Sequence, residues 1–214
     1  MPYWLANGDG FLWAAERGAQ WQLELRHADG SLDHAVTHPS LPFVALDDVD
    51  EAAGNVVVTA RPDRLTTAAY RVPLSGGDPV NLTPAPGLHD VVAGEDQHAI
   101  LLDRFSRADG GAGTAVLDAS GKLRAILPSF AELPPHGANV EFTTAGPRDL
   151  DAAMVRPRNF KPGQRYPVVL AVYGGPTVKL VLRASRSFLE DQCLADQGFV
   201  VATLDGPRHP GPRS

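Results

Sequence analysis

Tyr166-Pro167-Val168-Val169-Leu170-Ala171-Val172-Tyr173-Gly174-Gly175-Pro176 is the stretch on which the reading of this chain turns. Its middle is an unbroken run of aliphatic residues without polar alternation, the pattern of a strand covered on both faces in a parallel sheet. Gly-Gly-Pro then breaks the run with two residues that lack a Cβ and one that lacks an N–H. Two more apolar runs of strand length lie at residues 151–155 and 199–204. One helix is predicted between 172 and 199. Ser187 and Glu190 have capping-box spacing, Leu189, Cys193 and Leu194 form an apolar stripe, and Gly198 stands where a C-terminal glycine belongs. Strand, helix, strand predicts a parallel crossover, so this part of the chain is α/β.

Upstream the pattern is different and repeats. Residues 11–17, 56–61 and 100–105 are similar apolar strands spaced about 45 residues apart, an interval typical of stacked β units. After each comes a second strand (21–26, 69–74, 114–117) and a Gly-rich turn: Ala28-Asp29-Gly30, Ser75-Gly76-Gly77 and Ala119-Ser120-Gly121. Such turns supply the positive φ that two-residue hairpins need. A third strand closes each unit at 32–37, 79–83 and 122–127. Short strands at this period, without helical periodicity, predict β-propeller blades, about three of them. A closed ring needs about four to eight, so further blades are expected elsewhere.

Charge follows the same division. Residues 1–147 hold 9 Lys and Arg against 19 Asp and Glu, net -10, whereas residues 148–214 hold 10 against 6, net +4. The two domains are therefore placed at residues 1–138, a partial β-propeller, and 139–214, the α/β part, with the charge boundary near Gly146.

Over 214 residues, 43% are hydrophobic and 21% charged, which suits one large or two modest cores. A net charge of -6 without a basic run excludes nucleic acid as the expected partner. No apolar run approaches the roughly 20 residues of a membrane span, and residues 1–9 carry no leader pattern; bacterial cytoplasm and periplasm both stay open. Cys193 is the only cysteine and is read as a small apolar core residue, so neither a disulfide nor a metal site is expected.

Residues 156–176, with the pattern Pro-x-x-Phe160 and then Tyr166-Pro167-Val168 through Tyr173-Gly174-Gly175-Pro176, resemble the prolyl oligopeptidase family of serine peptidases, specifically its dipeptidyl peptidase IV branch. Leu194-Ala195, Gly198-Phe199-Val200-Val201 and Asp205-Gly206 follow at that family's spacing. The resemblance is strong over residues ~140–206 and looser in the repeats, as propeller repeats are. It implies a β-propeller followed by an α/β-hydrolase domain, a peptide substrate and no cofactor, and it leaves a homodimer open. It also implies that the Tyr173 hydroxyl donates to the oxyanion formed when a serine attacks a peptide carbonyl, a role the loop after the third strand fills in this fold.

No G-x-S-x-G occurs, so the nucleophile, acid and base are not in this chain, and the chain alone is expected to be inactive. The histidines at 27, 34, 38, 89, 98, 136 and 209 are read as solvated loop residues. The acidic group Asp47, Asp48, Asp50 and Glu51 does not meet the EF-hand pattern and is read as an inter-blade loop. Gly110-Gly111-Ala112-Gly113 lacks the Gly-Lys-Ser/Thr of a phosphate loop and is read as a hairpin. Other classes compatible with these residues are a propeller-type binding module with a structural α/β remnant, and another hydrolase of the same fold such as an acylaminoacyl peptidase. After Asp205-Gly206 the family continues R-G-T-P-G-R-G-R-[DE]. One base inserted after codon 206 of a GC-rich coding of that stretch yields Pro207-Arg208-His209-Pro210-Gly211-Pro212-Arg213-Ser214 and a stop. The expectation is a frameshifted, truncated product.

Overall fold

The structure, a computed structural model, describes residues 2–18, 20–94, 98–132, 134–173 and 179–206. The described residues divide into two units, one within residues 2–105 and 113–128 and the other within residues 106–112 and 129–206.

The first unit consists of three four-stranded antiparallel meanders. They are β1–β4 (Tyr3–Trp4, Gly10–Arg17, Gln20–His27, Leu32–Ala35), β5–β8 (Phe43–Asp50, Asn55–Ala60, Ala68–Pro73, Val80–Asn81) and β9–β12 (Leu88–Ala93, Ile100–Ser106, Ala112–Asp118, Leu123–Leu127). The three repeated strands of the sequence are the second, third and fourth of each sheet. The first strands, β1, β5 and β9, escaped the sequence reading; β5 carries Asp47, Asp48 and Asp50 and thus looks like a loop. They lie in a strand all the same. Thr59 Oγ donates to Asp47 (2.7 Å), His98 Nδ1 pairs with Asp48 (2.8 Å) and Asp50 accepts the Ala53 N–H (2.9 Å), so neighbouring groups satisfy the carboxylates.

Alternation along the strands builds two cores. On β6, Val56, Val58 and Ala60 face the first sheet, packing with Leu12, Leu23 and Phe43, while Val57 faces the third with Ala69, Leu82, Val91 and Leu101. The central sheet is thus buried on both faces, and burying each such valine contributes roughly 1.5–3 kcal/mol. The repeat extends to side-chain hydrogen bonds. Thr37 Oγ accepts the Leu23 N–H at 2.8 Å, and 46 residues later Thr83 Oγ accepts the Ala69 N–H, also at 2.8 Å. These are β-propeller blades. Their turns are longer than the two-residue hairpins expected. The connections span residues 28–31 and 119–122, each with a register shift beside it, and Gly121 has φ +81°.

The second unit holds a mixed sheet in the order β13-β14-β16-β15, from Val140–Ala145, Leu150–Val155, Val168–Tyr173 (β15) and Val200–Asp205 (β16). β15 and β16 are parallel and joined through a 3₁₀ turn, Ser185–Phe188, and helix α1, Leu189–Ala195. The α/β reading holds, with β14 and β16 as the interior strands. Three details differ from expectation. Ser187 lies in the 3₁₀ turn and the N-cap is Phe188, without a side-chain cap bond. The buried helical face is Phe188, Gln192 and Ala195, leaving Leu194 and Cys193 exposed, so the cysteine is not a core residue. Both stripes satisfy helical spacing, and the aromatic contact of Phe188 with Phe142 (5.7 Å between centroids) selects between them. Third, β15 is an edge strand whose Val168, Leu170 and Val172 are exposed, not covered on both faces.

Candidate functional site

The chain approaching β15 is shaped by the motif residues themselves. The Phe160 and Tyr166 rings stack at 5.0 Å, Arg156 lies over Phe160 at 5.2 Å, and the Tyr166 hydroxyl accepts the Lys161 N–H at 2.9 Å. Asp196, just past α1, accepts the Arg158 N–H at 3.0 Å and pairs with its guanidinium. Burial would push the Asp196 carboxyl up, but the hydrogen bonds from Arg158 and Gln192 and the Arg158 charge outweigh it and hold it below the ordinary range. Gln192, fully buried, donates to Arg156 O (3.1 Å) and Asp196 (2.8 Å), and its own oxygen accepts the Asn139 N–H (2.5 Å). The amide satisfies itself at both ends, which is what permits a polar group on the packed face of α1.

β15 delivers Tyr173 to its carboxyl end, in register with Asp205 of β16. Tyr173 is 44% exposed, and among the described residues no group hydrogen-bonds its phenol. Gly174, Gly175 and Pro176, the predicted turn, lie outside the described residues, as do residues 207–214 with His209. Beside Tyr173 is a polar cluster that sequence reasoning missed. Lys179 Nζ pairs with Asp151 and lies 3.2 Å from Asp205, and these side chains are no more than 8% exposed. Asp205 further accepts the N–H groups of Leu180 (2.8 Å) and Val181 (3.0 Å). The family pattern flagged Asp205 only as a motif letter.

The histidines part company. His38 and His136 are exposed as expected; His27 is exposed but ends strand β3, His34 is half-buried within strand β4 and not in a loop, and His98 is half-buried. His89 is not a solvated loop residue. It is 3% exposed on β9, with Nδ1 2.8 Å from Asp103 and Nε2 2.9 Å from Ala85 O. It ties strand β9 to β10. Glu24 on β3 is likewise buried, gripped by Arg17 (2.7 Å) and Arg26 (2.6 Å). Burial raises its carboxyl, and the two guanidinium hydrogen bonds more than reverse that, leaving it below the usual value. Among the described residues no group of three or more His, Cys, Asp or Glu is arranged to hold a metal ion. No helix there is long and apolar enough to cross a membrane.

Three β-propeller blades followed by a mixed α/β sheet, with a tyrosine at the carboxyl end of its third strand in chain order, define a propeller-linked hydrolase architecture. No family model matches the chain. Dipeptidyl peptidase 8 of Homo sapiens and of Mus musculus is 34% identical over 92 residues, 42% of this chain and 9% of theirs. A probable dipeptidyl-aminopeptidase B of Emericella nidulans is 27% identical over 150 residues, 64% of this chain and 16% of its own length. The crystal structure of Porphyromonas gingivalis dipeptidyl peptidase 4 superposes with a TM-score of 0.83 and 25% identity, covering 96% of this chain and 30% of that one. The chain therefore spans only a minor part of the relatives it matches. These relatives and this structural neighbour are all dipeptidyl peptidases, and the chain is consistent with a piece of a dipeptidyl-peptidase-IV-like protein.

Proposed function

We propose that this chain is the propeller-to-hydrolase junction of a dipeptidyl-peptidase-IV-like serine peptidase. Residues 1–138 supply three blades, and residues 139–214 open the α/β-hydrolase domain. The parent enzyme takes short peptides and cleaves after a penultimate proline or alanine. A serine outside these residues attacks the scissile carbonyl, and the Tyr173 hydroxyl donates to the resulting oxyanion. A donor held in advance is worth most where charge develops, because it need not reorganise during the reaction. The observation supporting this reading is Tyr173 itself, half-exposed at the carboxyl end of β15 and immediately before Gly174. With no G-x-S-x-G, the 214-residue chain alone is inactive.

A fluorophosphonate probe reacts only with an activated serine. The chain as it stands should remain unlabelled. A longer product joining it in frame to a G-x-S-x-G segment encoded downstream should label and release p-nitroaniline from Gly-Pro-p-nitroanilide. Labelling of the short chain, or a labelled long product that cleaves acylaminoacyl but not dipeptidyl substrates, would overturn the assignment. The binding-module reading rests on the missing nucleophile motif, and labelling of the long product removes it.

A further inference from the structure

We propose that Lys179, Asp151 and Asp205 form a buried clamp that positions Tyr173 through Asp205, its register partner in the parallel ladder. The proposal rests on the oxyanion role assigned to Tyr173 and adds the residues that hold it there. The three side chains come from separate places: the second residue of β14, the last residue of β16, and the position six residues beyond Tyr173. Lys179 bridges the two carboxylates, and Asp205 spends one oxygen on the Leu180 N–H and the other on the Val181 N–H. Asp205 is also the register partner of Tyr173 in the parallel ladder. One residue thus pairs in register with Tyr173 and holds the backbone of Leu180 and Val181.

Tyr173 needs such a device. It sits on an edge strand, the residue is 44% exposed, and no described side chain hydrogen-bonds its hydroxyl. Among the described residues, the backbone contact that places it is the parallel ladder with β16. A phenol that must meet a developing oxyanion at about 2.7–3.1 Å tolerates little drift in that ladder. The clamp is buried where loop backbone is normally solvated, and it spends two carboxylates and an ammonium on holding residues 179–181. Packing alone would not call for so polar a fastening. Lys179, Asp151 and Asp205 touch neither the phenol nor a substrate, so they are positioning residues.

The test uses the full chain labelled with 3-fluorotyrosine. Its four tyrosines, Tyr3, Tyr70, Tyr166 and Tyr173, give four fluorine resonances, with Tyr173 assigned by Tyr173→Phe. Lys179→Met should move or broaden the Tyr173 resonance by more than its linewidth and leave those of Tyr3 and Tyr70 in place. Lys179→Arg should restore it. Asp205→Asn, which keeps an acceptor for one amide, should give an intermediate displacement and serves where Lys179→Met does not fold. Four unmoved resonances in either folded variant, alongside a lower melting temperature, would reduce the cluster to a structural fastening and overturn the proposal. In the active long product Lys179→Met should lower kcat at least tenfold with KM nearly unchanged. If Tyr173→Phe leaves kcat intact there, the oxyanion reading falls while the fluorine result stands.

Discussion

Asp118 ends β11, and its carboxylate accepts the Ser120 hydroxyl (2.6 Å) and the N–H groups of Ser120 (2.8 Å) and Lys122 (3.0 Å). The Ser120 hydroxyl, those amides and the Arg124 charge together outweigh the cost of desolvation and draw the carboxyl down from 3.8 to about 2. The folded value lies below the unfolded one, so the carboxylate's contribution is complete above the unfolded value and fades as pH falls through the folded one. Carbon-detected titration of Asp118 should give a midpoint near 2, and Asp118→Asn should remove the acid sensitivity of this turn between pH 3.8 and about 2. Tyr173 carries the chemical prediction. In the active long product Tyr173→Phe should lower kcat by about 10²–10³ with little change in KM, since an oxyanion donor acts on the transition state more than on bound substrate. Steady-state kinetics on a dipeptidyl substrate checks it. Tyr173 was legible because a distinctive local string surrounds it. Lys179 and Asp151 were not, because nothing near either residue announces a partner 28 positions away.

Gly121, in the β11–β12 turn, shows how tightly a blade is fastened to the one before it. It has φ +81°, and a Cβ there would meet Leu82 O at 2.7 Å and Leu82 Cα at 2.8 Å, backbone atoms that cannot swing aside. Gly30 occupies the matching turn of the first blade at φ +87° but has open space around it. Gly121→Ala should therefore cost more than Gly30→Ala, which bears only the strain of a left-handed backbone, about 1–3 kcal/mol. Urea midpoints of the two variants give the comparison, and equal losses would mean that the contact with Leu82 is absent in solution. Strands two to four of each blade were readable from apolar runs and glycine turns, both short-range signals. Strand β5 was not, since Asp47 and Asp48 become tolerable only once Thr59 and His98 from other segments meet them. Helix α1 makes the same point. Leu189, Cys193 and Leu194 satisfied the helical period as well as Phe188, Gln192 and Ala195 did, and the sheet it packs on chose the second set.

Val168, Leu170 and Val172 are 64%, 56% and 64% exposed and form one apolar row on the edge strand β15. A row of this kind beside an unpaired strand edge invites association between copies. The chain should elute in self-associated form, and Leu170→Lys should shift it toward monomer in size-exclusion chromatography with light scattering. A monomeric parent chain at tens of micromolar would contradict this. Order along the chain was sufficient for the blade period near 45, the change to an α/β crossover and the tyrosine before Gly-Gly-Pro, because turns, strand runs and motif spacing are properties of residues close in sequence. Folding settled the rest. The burial of His89 on Asp103, the solvent-facing Cys193 and the meeting of Lys179 with two carboxylates all depend on which distant segments pack together. Burial and ion pairing are set by neighbours in space, and a linear pattern does not specify those neighbours until the sheets have assembled.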